Sequence, residues 1–336
     1  MLANNLKRLM MGAAFATILM SPAFAATAET TNINLAVASN FHGIPPDNSA
    51  ITDIITEFEA ENQTQGYTVT VVDNGATATL EAHIIAGNTL GVDLFLAADT
   101  ATPEDLLINH FNLVTTYNNS TTPPLYTFNY AQGVLAFLTN TPGINVSCGA
   151  RGTCGYDPNI FATVGIADPS LAPYGVAAQS VLIDRYGLAP PLCMTTTPPL
   201  TNGNPKVKQP CYANITDVLT AVLNRQVPVG FVAMSAICSN GQYPTPGNGT
   251  SALAYFTIES TNTRPPTLVN NYNPLTQGGI SVVNTPAVTP GNPSGRTPAQ
   301  NAELAAFVAF LTDFTQPPQE PSPMIKTLQK FCYSAP

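Results

Sequence analysis

The chain is predicted to be an α/β protein, in two domains or one two-lobed unit. Three observations predict this. Short apolar segments with a period of two alternate with segments of period 3.6, and the order strand, helix, strand, helix repeats. Turn-forming Gly, Pro, Asn and Thr collect where one pattern gives way to the next. The length of 336 residues exceeds what a single core usually organises. Strands joined through helices imply parallel pairing.

The elements follow in order. Lys7 and Arg8 precede an apolar run, Leu9–Met20, and Pro22–Ala25 ends in a small-x-small pattern. This reads as a secretory signal over residues 1–25, with the mature chain starting at Ala26. An uncleaved anchor is the alternative, but the run is short for a membrane span. No Cys lies near the cleavage site to carry a lipid. Ile33–Ala38 alternates as a strand. Ile51, Ile54, Ile55 and Phe58 share one helical face, so a helix spans about Ser49–Glu61, capped by Asp47, Asn48 or Ser49. Tyr67–Val72 is a strand, Leu80–Ala86 a helix ending at Gly87, and Val92–Ala97 a strand. Asp99 and Thr100 lead into a helix opened by Pro103.

Gly133–Thr139 and Val164–Ala167 are apolar strands. After the second comes Asp168-Pro169-Ser170-Leu171-Ala172-Pro173-Tyr174-Gly175, a turn that enters a helix with Ala177, Val181 and Leu182 on one face. That helix ends at Tyr186-Gly187. Thr216–Arg225 is a helix, Val227–Ala233 a buried strand, and Glu303–Phe314 and Pro323–Tyr333 are the last helices. Asn145–Asn159, Ala189–Gln209, Ser239–Ser251, Thr261–Asn273 and Thr285–Thr297 read as Pro-, Gly-, Thr- and Asn-rich surface insertions.

Charge narrows the partners. The formal net charge is −9. The signal holds two of the eleven basic residues and no acidic one, so its loss makes the charge −11. This argues against nucleic acid and anionic membrane surfaces as partners, and no direct membrane insertion is expected after the signal is removed. The six cysteines all follow the signal, which in an exported chain favours disulfides. Cys148–Cys154 and Cys193–Cys211 each bracket a Gly- or Pro-rich loop, and Cys238–Cys332 would tie the late chain to the C-terminus. Zinc is the alternative. It has little support, because no C-x2-C spacing occurs and His42, His83 and His110 are remote in sequence.

Candidate chemistry lies at the ends of the strands. Ser39-Asn40-Phe41, Asn74–Thr79, Pro173-Tyr174-Gly175 and Asn214-Ile215 each offer hydroxyls or the unpartnered N–H groups of a helix start. None offers a Lys or Arg. Taken singly, each is an ordinary helix start. Together they describe an uncharged ring of donors suited to a fully ionised tetrahedral anion such as molybdate, tungstate or sulfate. Ser235 lacks the Gly-x-Ser-x-Gly frame of a hydrolase, and no phosphate loop ends in Lys-Ser/Thr. Glu57, Glu59 and Glu61 read as a solvated face, and His83 and His110 as packing residues. No catalytic residue and no enzyme activity are expected.

Four blocks carry a family resemblance: Ala36–Phe41, Asp93–Asp99, Ala167-Asp168-Pro169 with Ala172–Gly175, and Pro228–Ser235. In these the chain resembles the periplasmic molybdate-binding proteins of ABC importers, within the type II periplasmic binding-protein fold. The resemblance implies an α/β fold of two lobes, each a mostly parallel sheet flanked by helices. Lobe I would be 32–132 plus 281–333, and lobe II 133–280. It also implies Ser39, Asn40, Thr77 (where the family usually has Ser), the Tyr174 amide and the Ile215 amide as donors to molybdate or tungstate. No cofactor is implied. The implied partner is an inner-membrane ABC permease, and the protein would be a periplasmic monomer. Other ligands for the same fold are sulfate, phosphate or a small organic anion, and an exported interaction module without ligand is a further reading. One departure is an insertion, His42–Asp47, which brings Asp47 near the site, with His42 able to offset it if protonated.

Overall fold

The computed structural model describes residues 30–43, 49–117, 125–144, 146, 163–186, 192–193, 206–207, 211–238, 240–242, 254–258, 272–316 and 318–336. The expected signal over residues 1–25, Asp47, Cys148 and Cys154, and most of the Pro- and Thr-rich insertions lie outside these residues. Among the described residues, no helix is long and apolar enough to cross a membrane.

The first sheet combines β1 (Thr31–Ala38), β2 (Tyr67–Gly75), β3 (Leu94–Leu96), β4 (Thr127–Gly133) and β10 (Leu275–Ser281) in the order β2-β1-β3-β10-β4. β1 runs parallel to β2 and β3, whereas β10 runs antiparallel to β3 and β4. The second sheet has the order β7-β6-β8-β5-β9, from β5 (Leu135–Thr139), β6 (Thr163–Gly165), β7 (Lys206–Val207), β8 (Val229–Ala233) and β9 (Ala254–Ile258). Here β6 is parallel to β7 and β8, and β5 is antiparallel to β8 and β9. The α/β reading therefore holds, with each sheet mixed. The antiparallel members enter where the chain crosses between lobes. β4 and β5 flank Val134, and β9 and β10 flank the return. β10 belongs to the first sheet from Leu275 onward, whereas the sequence put the return at Ser281.

β1 shows how sequence selects faces. Alternate residues of a strand point to opposite sides. Ile33, Leu35 and Val37 accordingly enter one core with α2 (Ala50–Glu61), α7 (Pro298–Leu311) and α8 (Pro323–Lys330), and Ala36 enters another with α3 (Thr77–Ile85) and α4 (Ala101–Asn109). α2 begins where Ser49 accepts from the Thr52 N–H at 3.2 Å, a side-chain cap. It buries Ile51, Ile54 and Phe58, and the Phe58 ring meets Phe307 edge-on at 5.0 Å. α7 begins with Pro298 and a reciprocal Thr297–Gln300 capping box. The second lobe has its own core, built around Phe137, Val181, Val222 and Phe231.

Several local expectations shift. Gly133 ends β4 and does not begin β5. His83 does not pack: it is exposed, with Nδ1 2.7 Å from Asp73 Oδ2. Glu59 accepts from the Val69 N–H at 2.9 Å. Cys193–Cys211 and Cys238–Cys332 are bonded.

Candidate functional site

The carboxyl ends of the parallel strands of both sheets point toward one place, where open α/β sheets form their crevice. β1 runs into the one-turn helix α1 (Ser39–His42), and β2 runs through Ala76 into α3. Past β6, the Asp168 side chain accepts from Ser170 N at 2.9 Å and from its hydroxyl at 2.6 Å, which fixes the turn. α5 (Pro173–Tyr186) then starts with Pro173. Gly175 is demanded by close approach: a Cβ there would lie 2.5 Å from the Ala167 carbonyl oxygen. α6 (Ile215–Leu223) is capped by Asn214, whose side chain accepts from Asp217 N at 3.0 Å.

All five residues singled out from the sequence line one cavity. Ser39, Asn40 and Thr77 face it from the first lobe and Tyr174 and Ile215 from the second, with Ala38, Gly75, Ala76, Ala98, Ala172 and Pro173 completing the wall. None of these is charged. Ser39, Thr77 and Ile215 are the first residues of their helices, and Tyr174 is the second. No N–H of Ser39, Asn40, Thr77, Tyr174 or Ile215 donates to another described residue. Four helix starts thus bring N–H groups without a partner among the described residues to a wall whose named residues carry no charge. The Thr77 hydroxyl accepts from Ala98 N at 3.1 Å, leaving its own hydrogen to donate elsewhere.

The cavity has a volume of about 10 Å³, close to what one water needs. The lobes are closed around it. Ala78 N donates to the Leu171 carbonyl at 3.0 Å. The Thr216 hydroxyl donates to the Ser39 carbonyl at 3.1 Å and Ser235 to that of Asn40 at 3.3 Å. An adjoining groove of about 580 Å³ opens beside Asp99, Pro173, Val176 and Tyr272.

Burial disfavours charge on the titratable groups nearby. It lowers the His42 pKa, which the backbone hydrogen bond to Gly43 only partly offsets, and so works against a positive charge there. Asp99 anchors the start of α4 by accepting from Thr102 N at 3.0 Å, and burial raises its pKa. Behind the cavity lies a buried polar layer that the sequence did not reveal. The Tyr333 hydroxyl donates to the Asn40 carbonyl at 2.9 Å, and Asn40 Nδ2 donates to the Tyr333 oxygen at 3.2 Å. The Tyr174 hydroxyl and the Gln277 amide are buried beside Asn40 and Tyr333 without a well-formed hydrogen bond. Burial, above all, pushes Tyr333 up to about 12, so its proton stays available for donation. Among the described residues, no cluster of three or more His, Cys, Asp or Glu could hold a metal ion.

Comparison with known proteins agrees with this architecture. Residues 33–314 match the model of the bacterial extracellular solute-binding protein family. The molybdate-binding protein ModA of Azotobacter vinelandii is 29% identical over 225 residues, covering 67% of this chain and 73% of that protein. The solved periplasmic molybdate-binding protein of Azotobacter vinelandii superposes with a TM-score of 0.60 at 19% identity, over 90% of this chain and 99% of that one. A periplasmic thiamin-binding protein superposes at 0.51 and 10% identity, over 90% and 82%. At such identities the superpositions establish the shared fold.

Proposed function

The chain belongs to the bacterial extracellular solute-binding proteins, and from that premise we propose that it captures a tetrahedral oxyanion, molybdate or tungstate, between its lobes. It then delivers the ion to an inner-membrane ABC permease, working in the periplasm as a monomer and without a cofactor. The action is reversible binding with closure of the lobes, not catalysis.

The observation that carries this reading is the uncharged cavity formed by Ser39, Asn40, Thr77, Tyr174 and Ile215 from both lobes. Helix starts and hydroxyls stabilise an anion through oriented dipoles. Among the described residues the wall also lacks a carboxylate to accept the proton of hydrogen phosphate, which favours a fully ionised guest. The likeness to a molybdate-binding relative supports the choice of ion. The closed volume is too small for a tetrahedral oxyanion, so binding requires the lobes to part and then to close less far around the ion.

Calorimetry at fixed salt with molybdate, tungstate, sulfate and phosphate tests the reading. Heat with molybdate and tungstate is expected. Heat with sulfate or phosphate alone reassigns the ligand, and no heat with any of them, on a folded protein, favours an interaction module. Ser39→Ala and Thr77→Ala should each weaken molybdate binding by about 1–3 kcal/mol, as for a lost bond to a buried charge. Unchanged affinity in both removes these residues from the site.

A further inference from the structure

The chain crosses between the lobes at Val134 and again between β9 and β10. The Cys238–Cys332 bond adds a third, covalent connection. Cys238 follows the 3-10 turn Met234–Ala236, directly after β8 of the second lobe. Cys332 follows α8 of the first lobe, in a left-handed turn with φ 55° that non-glycine residues seldom adopt. The tail beyond it reaches both the crossing and the cavity wall. Ser334 exchanges backbone hydrogen bonds with Gln132 at 2.8 and 3.1 Å, two residues before Val134. Gly241 N of the second lobe donates to the Lys330 carbonyl at 2.7 Å.

Tyr333 stands between these contacts. Its ring packs in the first-lobe core, edge-on to Phe41 at 5.3 Å, while Cys332 beside it packs on the second-lobe core. Its hydroxyl both donates to and accepts from Asn40. Ser235, three residues before Cys238, donates to the same Asn40 carbonyl. When the lobes part, Ser235 must leave Asn40, and Cys238 pulls on the residue next to Tyr333.

We propose that Tyr333 is a positioning residue for Asn40, and that the Cys238–Cys332 bond, by tethering Tyr333 across the lobes, limits how far they open. The pocket part of this rests on the oxyanion reading above; the tether part does not need a ligand. Opening is therefore coupled to order at Asn40, and the closed arrangement is favoured even before an ion arrives.

The experiment compares the full mature chain with Cys238→Ser/Cys332→Ser and with Tyr333→Phe. Small-angle scattering without oxyanion reads the tether, and calorimetry with sodium molybdate reads the pocket. The double serine variant is expected to show a larger radius of gyration than the parent. Tyr333→Phe is expected to keep the parent's radius and native circular dichroism and to bind molybdate about 3- to 10-fold more weakly, the range of a lost hydrogen bond. An unchanged radius in the double serine variant overturns the tether, and parent affinity in Tyr333→Phe overturns the positioning role. If the double variant does not fold, the parent and Cys193→Ser/Cys211→Ser are each reduced with a phosphine while circular dichroism stays native; a larger radius on reduction in both supports the tether, and an unchanged radius overturns it. If the parent binds none of molybdate, tungstate and sulfate, the oxyanion reading fails and Tyr333's positioning role fails with it. The scattering result then stands or falls alone.

Discussion

Gly133→Ala tests how the hinge and the site are joined. Gly133 ends β4, one residue before the chain crosses between the lobes. A Cβ there would sit 1.9 Å from the Tyr174 hydroxyl oxygen, 3.1 Å from its Cζ and 3.1 Å from Gln277 Nε2. Ordinary contact is ~3.5 Å, so about 1.5 Å of movement is needed. The hydroxyl is the far end of a side chain, yet the Tyr174 ring is 1% exposed and cannot swing into solvent. Overpacking of this kind costs about 1–3 kcal/mol. Movement of Tyr174 also shifts its amide in the cavity wall, so molybdate affinity should fall alongside stability. Tyr174→Phe keeps the amide and removes the offending oxygen, leaving the two 3.1 Å contacts with Cζ and Gln277 Nε2. Urea unfolding of the parent, both single variants and the double variant is the assay. Gly133→Ala should cost about 1–3 kcal/mol alone and clearly less in the Tyr174→Phe background. Equal costs in the two backgrounds would mean no coupling and would refute the steric argument.

Three further outcomes are expected. Arg296 and Asp93 form a buried pair at 3.6 Å, and Arg296 also donates to the Val282 carbonyl at 2.7 Å and to Asn301 at 3.0 Å. Arg296→Ala leaves Asp93 buried and unpaired and should cost about 3–5 kcal/mol in chemical denaturation; a loss below 1 kcal/mol would contradict this. Burial, with Asp105 and Asp99 alongside, pushes Glu81 up to about 7 from 4.5. The folded state then holds the proton more tightly, so the contribution of Glu81 to stability is fullest below pH 4.5 and is lost as pH rises through about 7. Glu81→Gln should flatten that fall by about 1 kcal/mol, a figure reduced for the group's exposure; an unchanged pH profile counts against it. Thiol titration of the unreduced, denatured mature chain should find no free thiol, and two or more would break the disulfide assignment.

The elements most legible in the sequence were those whose signals are local. The i, i+3, i+4, i+7 pattern of Ile51, Ile54, Ile55 and Phe58 predicted α2, and Ser49 capped it within one residue of the expected start. The strand-end segments holding Ser39, Thr77, Tyr174 and Ile215 were found because helix starts carry small, capping and turn-forming residues. β4, β9 and β10 were missed. They pair antiparallel at the crossings, and strand identity there depends on the partner more than on propensity. His83 was misread because an apolar neighbour in sequence says little about which face of a helix a residue takes.

The sequence alone determined the α/β order, the helix starts, the absence of positive charge at those starts and the cysteines available for pairing, because each is a property of a few adjacent residues. Only the tertiary structure decided that Ser39, Asn40, Thr77, Tyr174 and Ile215 line one cavity. It likewise brought Asn40 and Tyr333 together across 293 positions, buried Asp93 against Arg296, and made Gly133 yield its Cβ space to Tyr174. The Asn40–Tyr333 and Asp93–Arg296 contacts depend on how distant segments pack within the first lobe, and the cavity and the Gly133–Tyr174 approach on how the lobes meet. That meeting is set by long-range packing and closure of the chain, which no local pattern of residues encodes.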